Sequence, residues 1–140
     1  MFFTDDDHDD LHLMKEVSEA LGQTAQFFND GNEMLAALAG DDGVRPDLIF
    51  LDITMERIDG FEVLGALRLL GGGFSSIPVI IHSSNCDEKC ISKCFDLGAN
   101  YYITKALSFK ALKSSIEYAI NKDWVNFKAT RENFLHLHSD

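Results

Sequence analysis

A chain of 140 residues has room for one compact domain and little more. With 46% apolar residues it can fill a core, and its net charge of −11 argues against nucleic acid and anionic membrane surfaces as partners. No apolar run approaches the length that crosses a bilayer, and the opening MFFTDDDHDD is acidic where a secretory signal would be basic, so the expected location is the cytoplasm.

Short strand signals alternate with helical patterns. Phe2-Phe3-Thr4 is a short apolar start, and Leu11, Met14, Val17 and Leu21 then fall at helical spacing before Gly22. Thr24 to Phe28 reads as a strand and Asn32 to Leu38 as a helix. Leu48-Ile49-Phe50-Leu51 is a continuous apolar run after Pro46, as a strand buried on both faces should be. Phe61, Leu64, Leu67 and Leu70 define a third helix, broken by Gly71-Gly72-Gly73. Pro78 precedes the β-branched run Val79-Ile80-Ile81. The next helix is expected to open on a capping box between Asn85 and Glu88, to carry Cys90, Ile91, Cys94 and Phe95 inward, and to end at Gly98. Tyr101-Tyr102-Ile103 is the fifth strand and Ser108 to Ile120 the fifth helix. The tail beyond Asn121, with Trp124, Phe127, Phe134 and Leu135, either extends that helix or packs back on the domain, and His136 and His138 read as incidental polar residues.

Five strands alternating with five helices predict an α/β fold, a parallel sheet with helices on both faces and right-handed crossovers. In such sheets ligands sit beyond the carboxyl ends of the strands. Asp5 and Asp6 follow the first strand, Asp52 the third, Ser83 the fourth and Lys105 the fifth, so every candidate polar group falls at one edge. Three carboxylates there repel one another unless a cation joins them. An all-oxygen donor set suits Mg²⁺, which takes one or two carboxylates, waters and phosphate oxygens. Lys105 adds a second positive charge and Ser83 a hydroxyl, which describes a site for a doubly charged phosphoryl group, with a carboxylate able to act as nucleophile.

Other chemistries fit less well. Asp5, Asp7, Asp9 and Glu16 match the spacing of a calcium loop, but Asp10 stands where that loop needs Gly and no helix can precede it. His8 and His12 are spaced as in a zinc-hydrolase helix, but Asp9 replaces the Glu that should follow the first His. A calcium- or zinc-binding protein is therefore a remote alternative. Cys86, Cys90 and Cys94, an odd number on one expected helix, read as free thiols. Asp7, Asp9 and Asp10 read as no more than an acidic helix start.

Four separated segments carry a resemblance to the response-regulator receiver domains of two-component signalling. Leu51-Asp52-Ile53-Thr54-Met55-Glu56-Arg57-Ile58-Asp59-Gly60 resembles the segment around the phosphorylated aspartate. The acidic run after the first strand resembles the family's acidic pair, placed on Asp5 and Asp6. Ile80-Ile81-His82-Ser83-Ser84 resembles the segment with the switch hydroxyl, and Gly98-Ala99-Asn100-Tyr101-Tyr102-Ile103-Thr104-Lys105 the segment with the switch aromatic and the lysine.

The resemblance implies a flavodoxin-like doubly wound five-stranded sheet over residues 1–122, followed by a tail at 123–140. It implies that Asp52 accepts a phosphoryl group from a phosphohistidine of a histidine kinase or phosphotransfer protein. Asp6, Asp52 and the backbone carbonyl of Thr54 would hold Mg²⁺, with Asp5 acting through water, while Lys105 and Ser83 contact the phosphoryl oxygens. Ser83 and Tyr102 would then change the face formed by helix four, strand five and helix five, where an effector binds; the alternative is a relay that passes the group to a second histidine protein. The chain departs from the family at Glu56 and Ala106, where proline is usual. Without proline, the Lys105–Ala106 bond is expected to be trans.

Overall fold

The computed structural model describes residues 1–40, 45–85 and 87–138. Five strands, β1 (Phe2–Thr4), β2 (Gln26–Phe28), β3 (Ile49–Leu51), β4 (Val79–Ser83) and β5 (Tyr101–Thr104), form one sheet in the order β2-β1-β3-β4-β5. Every pairing is parallel, with Phe2 opposite Ile49, Ile49 opposite Val79, and Ile80 opposite Tyr101. The helices are α1 (His8–Ala20), α2 (Gly31–Ala39), α3 (Gly60–Leu69), α4 (Glu88–Asp96) and α5 (Phe109–Asn121). The chain thus has the doubly wound flavodoxin-like arrangement.

The two faces of the sheet bury separate cores. On one side Ile49, Leu51, Val79, Ile81 and Tyr102 pack against Met34, Leu38, Val63, Leu64, Leu67, Cys90 and Cys94 of α2, α3 and α4. On the other, Phe3, Phe50, Ile80, Tyr101 and Ile103 pack against Met14 and Val17 of α1 and Leu112, Ile116 and Ala119 of α5. Central strands buried on both faces explain why β3 and β4 read as unbroken apolar runs rather than alternating ones.

Each helix starts on a side-chain cap, Asp7, Asp30, Asp59, Asp87 and Ser108 in turn, accepting from a backbone N–H of the first turn. At α4 this corrects the expected capping box: Asp87 is the cap, and Asn85 instead accepts from the Asp87 N–H in a turn before the helix. Cys90 and Cys94 are free and buried on α4, whereas Cys86 lies outside the described residues. Gly60 has a steric role, because a Cβ there would stand 2.7 Å from Cα of Ile53 and press on the carbonyl of Asp52. Its absence lets α3 begin directly against the end of β3, where the Gly60 N–H bonds the Ile53 carbonyl at 2.8 Å.

The tail packs back rather than extending α5. Trp124 packs tilted and Phe127 edge-on against Tyr101 on the α5 side, and the ammonium of Lys122 sits 4.3 Å from the Phe127 ring centre. The chain then crosses the free edge of β5. The Tyr102 N–H bonds the Phe134 carbonyl at 3.0 Å, and the His136 N–H bonds the Tyr102 carbonyl at 2.8 Å, a one-residue parallel bridge at Leu135. Phe134 is 1% exposed against Phe95 and Tyr102. Burial of such a ring contributes about 1.5–3 kcal/mol, while the exposed Arg131–Asp96 pair at 2.8 Å adds at most about 1 kcal/mol. His136 and His138, expected to be incidental, are part of this strap: His136 Nδ1 lies 2.8 Å from the Tyr101 hydroxyl and His138 Nε2 2.8 Å from the Thr104 carbonyl.

Candidate phosphoryl-acceptor site

The carboxyl ends of β1, β3 and β5 deliver Asp5, Asp52 and Lys105 to one place, as parallel strands in register must. The Lys105 ammonium lies 2.8 Å from Asp5 Oδ2 and 3.3 Å from Asp52 Oδ2. Oxygens of Asp5, Asp6 and Asp52 lie within 4.8 Å of one another. Asp5 and Asp52 are buried, whereas Asp6 is half-buried and accepts the Glu56 N–H at 3.1 Å, tying the β3–α3 loop to the β1–α1 loop. Asp5 in turn accepts the Asp7 N–H at 3.0 Å.

Sequence reasoning missed one member. Asp10, taken as part of a solvated helix start, accepts from Lys105 at 2.7 Å, the shortest of the lysine's three carboxylate contacts. It stands in the first turn of α1, which overhangs the end of the sheet. Asp7 is the α1 cap and Asp9 is exposed, as expected of an acidic helix start. Among the described residues the one cluster of possible metal ligands is Asp5, Asp6 and Asp52, and His12 is exposed and faces Glu16 at 3.4 Å.

Burial dominates the electrostatics. It lifts the Asp5 carboxyl to about 7, against the pull of Lys105, and the neighbouring Asp52 charge lifts it further. Asp52 is raised for the same first reason, with Lys105 opposing. Burial alone would lower Lys105, but hydrogen bonds to Asp10 and Asp5 and the Asp52 charge hold it above its ordinary value. One cation thus serves three carboxylates, two of them desolvated. That shortfall, in an all-oxygen donor set, fits a hard divalent cation.

Ser83 ends β4 with its hydroxyl buried and accepting the Asn85 N–H at 3.2 Å. Thr54 lies in the loop two residues past Asp52 with an exposed side chain. Tyr102 lies on the edge strand β5, yet its ring is fully buried, and its hydroxyl donates to the Asn85 carbonyl at 2.7 Å. The Lys105–Ala106 bond is trans, since no cis peptide occurs among the described residues. Beneath the site, His82 Nε2 and Thr4 Oγ1 are buried without a hydrogen-bond partner among the described residues. Both residues line a cavity of about 10 Å³ shared with Asp5 and Asp52, at the threshold of what one water needs.

Comparison with known proteins places these features. Residues 1–117 match the family model described as response regulator receiver domain. The phosphorylated cyanobacterial phytochrome response regulator RcpA superposes with a TM-score of 0.77 at 29% identity, over 91% of this chain and 94% of that one. The Mn²⁺-bound response regulator Rcp1 gives 0.72 at 26% identity, over 91% and 95%. Hybrid signal transduction histidine kinase L of Dictyostelium discoideum is 29% identical over 115 residues, 81% of this chain and 7% of the kinase. The match spans only 7% to 24% of the length of the first three curated relatives.

Proposed function

We propose, on the premise that the chain belongs to the response regulator receiver domain family, that Asp52 is its phosphoacceptor and that phosphorylation alters the binding of an effector protein. The family is one of phosphoacceptor signalling proteins, whose members take their phosphoryl group from histidine kinases or phosphotransfer proteins and bind Mg²⁺ or Mn²⁺ in an acidic pocket. Among the described residues no helix is long and apolar enough to cross a membrane, in keeping with a cytoplasmic regulator.

One observation carries this reading: Lys105 at the end of β5 faces Asp52 at the end of β3 across an acidic cluster at 3.3 Å. Asp52 attacks phosphorus through a carboxylate oxygen, and the donor histidine leaves with the bonding pair. Lys105 meets the negative charge of the transferring group, and the Ser83 hydroxyl donates to one of its oxygens. Asp6, Asp52 and the Thr54 carbonyl would hold Mg²⁺, with Asp5 acting through water. When bound, the ion supplies the positive charge that lets buried carboxylates and a phosphoryl group share one site. The same residues serve the chain's own dephosphorylation, with water as the nucleophile. The effector surface is the face of α4, β5 and α5.

The test is transfer from a phosphorylated histidine kinase or phosphotransfer protein in Mg²⁺. Label that moves to the wild type but not to Asp52→Asn supports the reading, and label that moves equally to both contradicts it.

A further inference from the structure

The strap formed by residues 123–138 reaches Ser83, whose carbonyl accepts the Lys105 N–H at 2.8 Å, through a continuous set of contacts. Asn85, in the β4–α4 turn, is gripped from two sides: its N–H donates to the Ser83 hydroxyl at 3.2 Å, and its carbonyl accepts the Tyr102 hydroxyl at 2.7 Å. Phe134 then closes over the buried Tyr102 ring, 6.2 Å between centroids, and is braced edge-on by Phe95 of α4 at 5.5 Å. The strap's backbone bonds the N–H and the carbonyl of Tyr102 itself. Arg131 pins the approach to α4, donating to Ser92 and Asp96 at 2.8 Å each and lying over the Phe95 ring. A Tyr102 ring that left its pocket past the edge of β5 would meet the strap, and a strap without that ring beneath it would lose the floor of the Phe134 site.

We propose that the strap is an internal ligand of the α4–β5–α5 face and that its docking is positively coupled to phosphorylation of Asp52, with Phe134 as the positioning residue acting through Tyr102. The inference rests on the function proposed above. A phosphoryl group that draws the Ser83 hydroxyl favours the turn position in which Asn85 holds Tyr102 inward, and that ring is the surface on which Phe134 packs. Thermodynamic linkage then requires the reverse effect: a docked strap raises the affinity of the site for a phosphoryl group. An effector that binds this face reads the strap and α4 together, rather than a bare edge of β5.

The experiment uses the full chain, with Mg²⁺ and beryllium fluoride as the phosphoryl mimic, followed by amide hydrogen exchange and titration. The expected result is that the mimic slows exchange of the His136 amide by about fivefold or more, the low end of typical coupling. Phe134→Ala should raise the half-saturating fluoride concentration by a similar factor, Phe134→Leu should restore most of it, and Arg131→Ala, which leaves the core filled, should shift it less in the same direction. Unchanged exchange in β3 confirms that each variant is folded. If the mimic binds but His136 exchange is unchanged or faster, the coupling is wrong while the phosphoacceptor reading stands. If the mimic does not bind the wild type, both fail.

Discussion

The ammonium of Lys105 lies closer to Asp10, at 2.7 Å, than to Asp52, at 3.3 Å. The lysine is thus held from the helix side by a carboxylate outside the Asp5–Asp6–Asp52 cluster, while it also meets Asp5 at 2.8 Å and Asp52 at 3.3 Å. Asp10→Asn should therefore cost about 1 kcal/mol of stability, as for one partly exposed charge-assisted bond, and slow labelling by a small acyl phosphate only severalfold. Lys105→Met removes the charge that meets the phosphoryl oxygens and should slow labelling by tenfold or more. Urea unfolding and initial labelling rates separate the two roles, and equal rate losses in both variants would refute the division.

Asp5 should make divalent-cation binding at the proposed site depend on pH. Its carboxyl is raised to about 7 from 3.8, so the folded chain holds a proton there that the unfolded chain has lost. Without metal, stability therefore falls as pH rises from about 4 to 7, by at most about 1.4 kcal/mol per pH unit. The cation must displace that proton, so apparent Mg²⁺ affinity should be about tenfold weaker at pH 6 than at pH 8. Calorimetric titration at the two pH values measures the ratio, and Asp5→Asn should flatten it. A wild-type ratio near one would contradict the assignment.

His82 acts at lower pH. Burial first, then the charges of Lys105 and His138, depress its imidazole to about 3 from 6.5. The unfolded chain binds the proton more readily, so stability is lost as pH falls from about 6.5 toward 3. His82→Leu removes this one proton from the balance. The difference in unfolding free energy, variant minus wild type, should grow as pH falls from 6.5 to 4.5 by up to about 1.4 kcal/mol per unit. A difference independent of pH would show that His82 does not enter the core neutral.

Tyr102 is too deeply buried for alanine to be informative, since a hole of that size costs about 3–5 kcal/mol. Tyr102→Phe keeps the ring and deletes the hydroxyl's bond to the Asn85 carbonyl together with its 3.5 Å contact to Cys90 Sγ. It should leave Asp52 able to accept phosphate while reducing the His136 protection that beryllium fluoride confers. Full protection in this variant would take the hydroxyl out of the switch.

The cluster at the sheet edge was largely legible because parallel strands bring their following residues to one edge, so the positions of Asp5, Asp52, Ser83 and Lys105 at the strand ends could be read from the alternation of strands and helices. Asp10 was not, because its role depends on how far the first turn of α1 overhangs the sheet, which spacing within the helix does not state. At α4 two residues with equal capping chemistry, Asn85 and Asp87, lie two apart, and only the fold decides that one shapes the turn and the other the cap. The choice between a longer α5 and a tail that packs back stayed open for a different reason. The tail's strand character is a single bridge at Leu135, too short to show a period, and Phe134 becomes a core residue only because the free edge of β5 and Phe95 of α4 lie beside it. His136 and His138 find their partners on β5 for the same reason.

The central claim, that Asp52 accepts the phosphoryl group in a cation-dependent site, is tested most directly by mass spectrometric peptide mapping after incubation with acetyl phosphate and Mg²⁺. The account predicts one added phosphoryl mass, about 80 Da by the chemistry of phosphorylation, on the peptide containing Asp52, and its loss both in Asp52→Ala and in chelator. Full labelling that survives Asp52→Ala, or that persists in chelator, would contradict it.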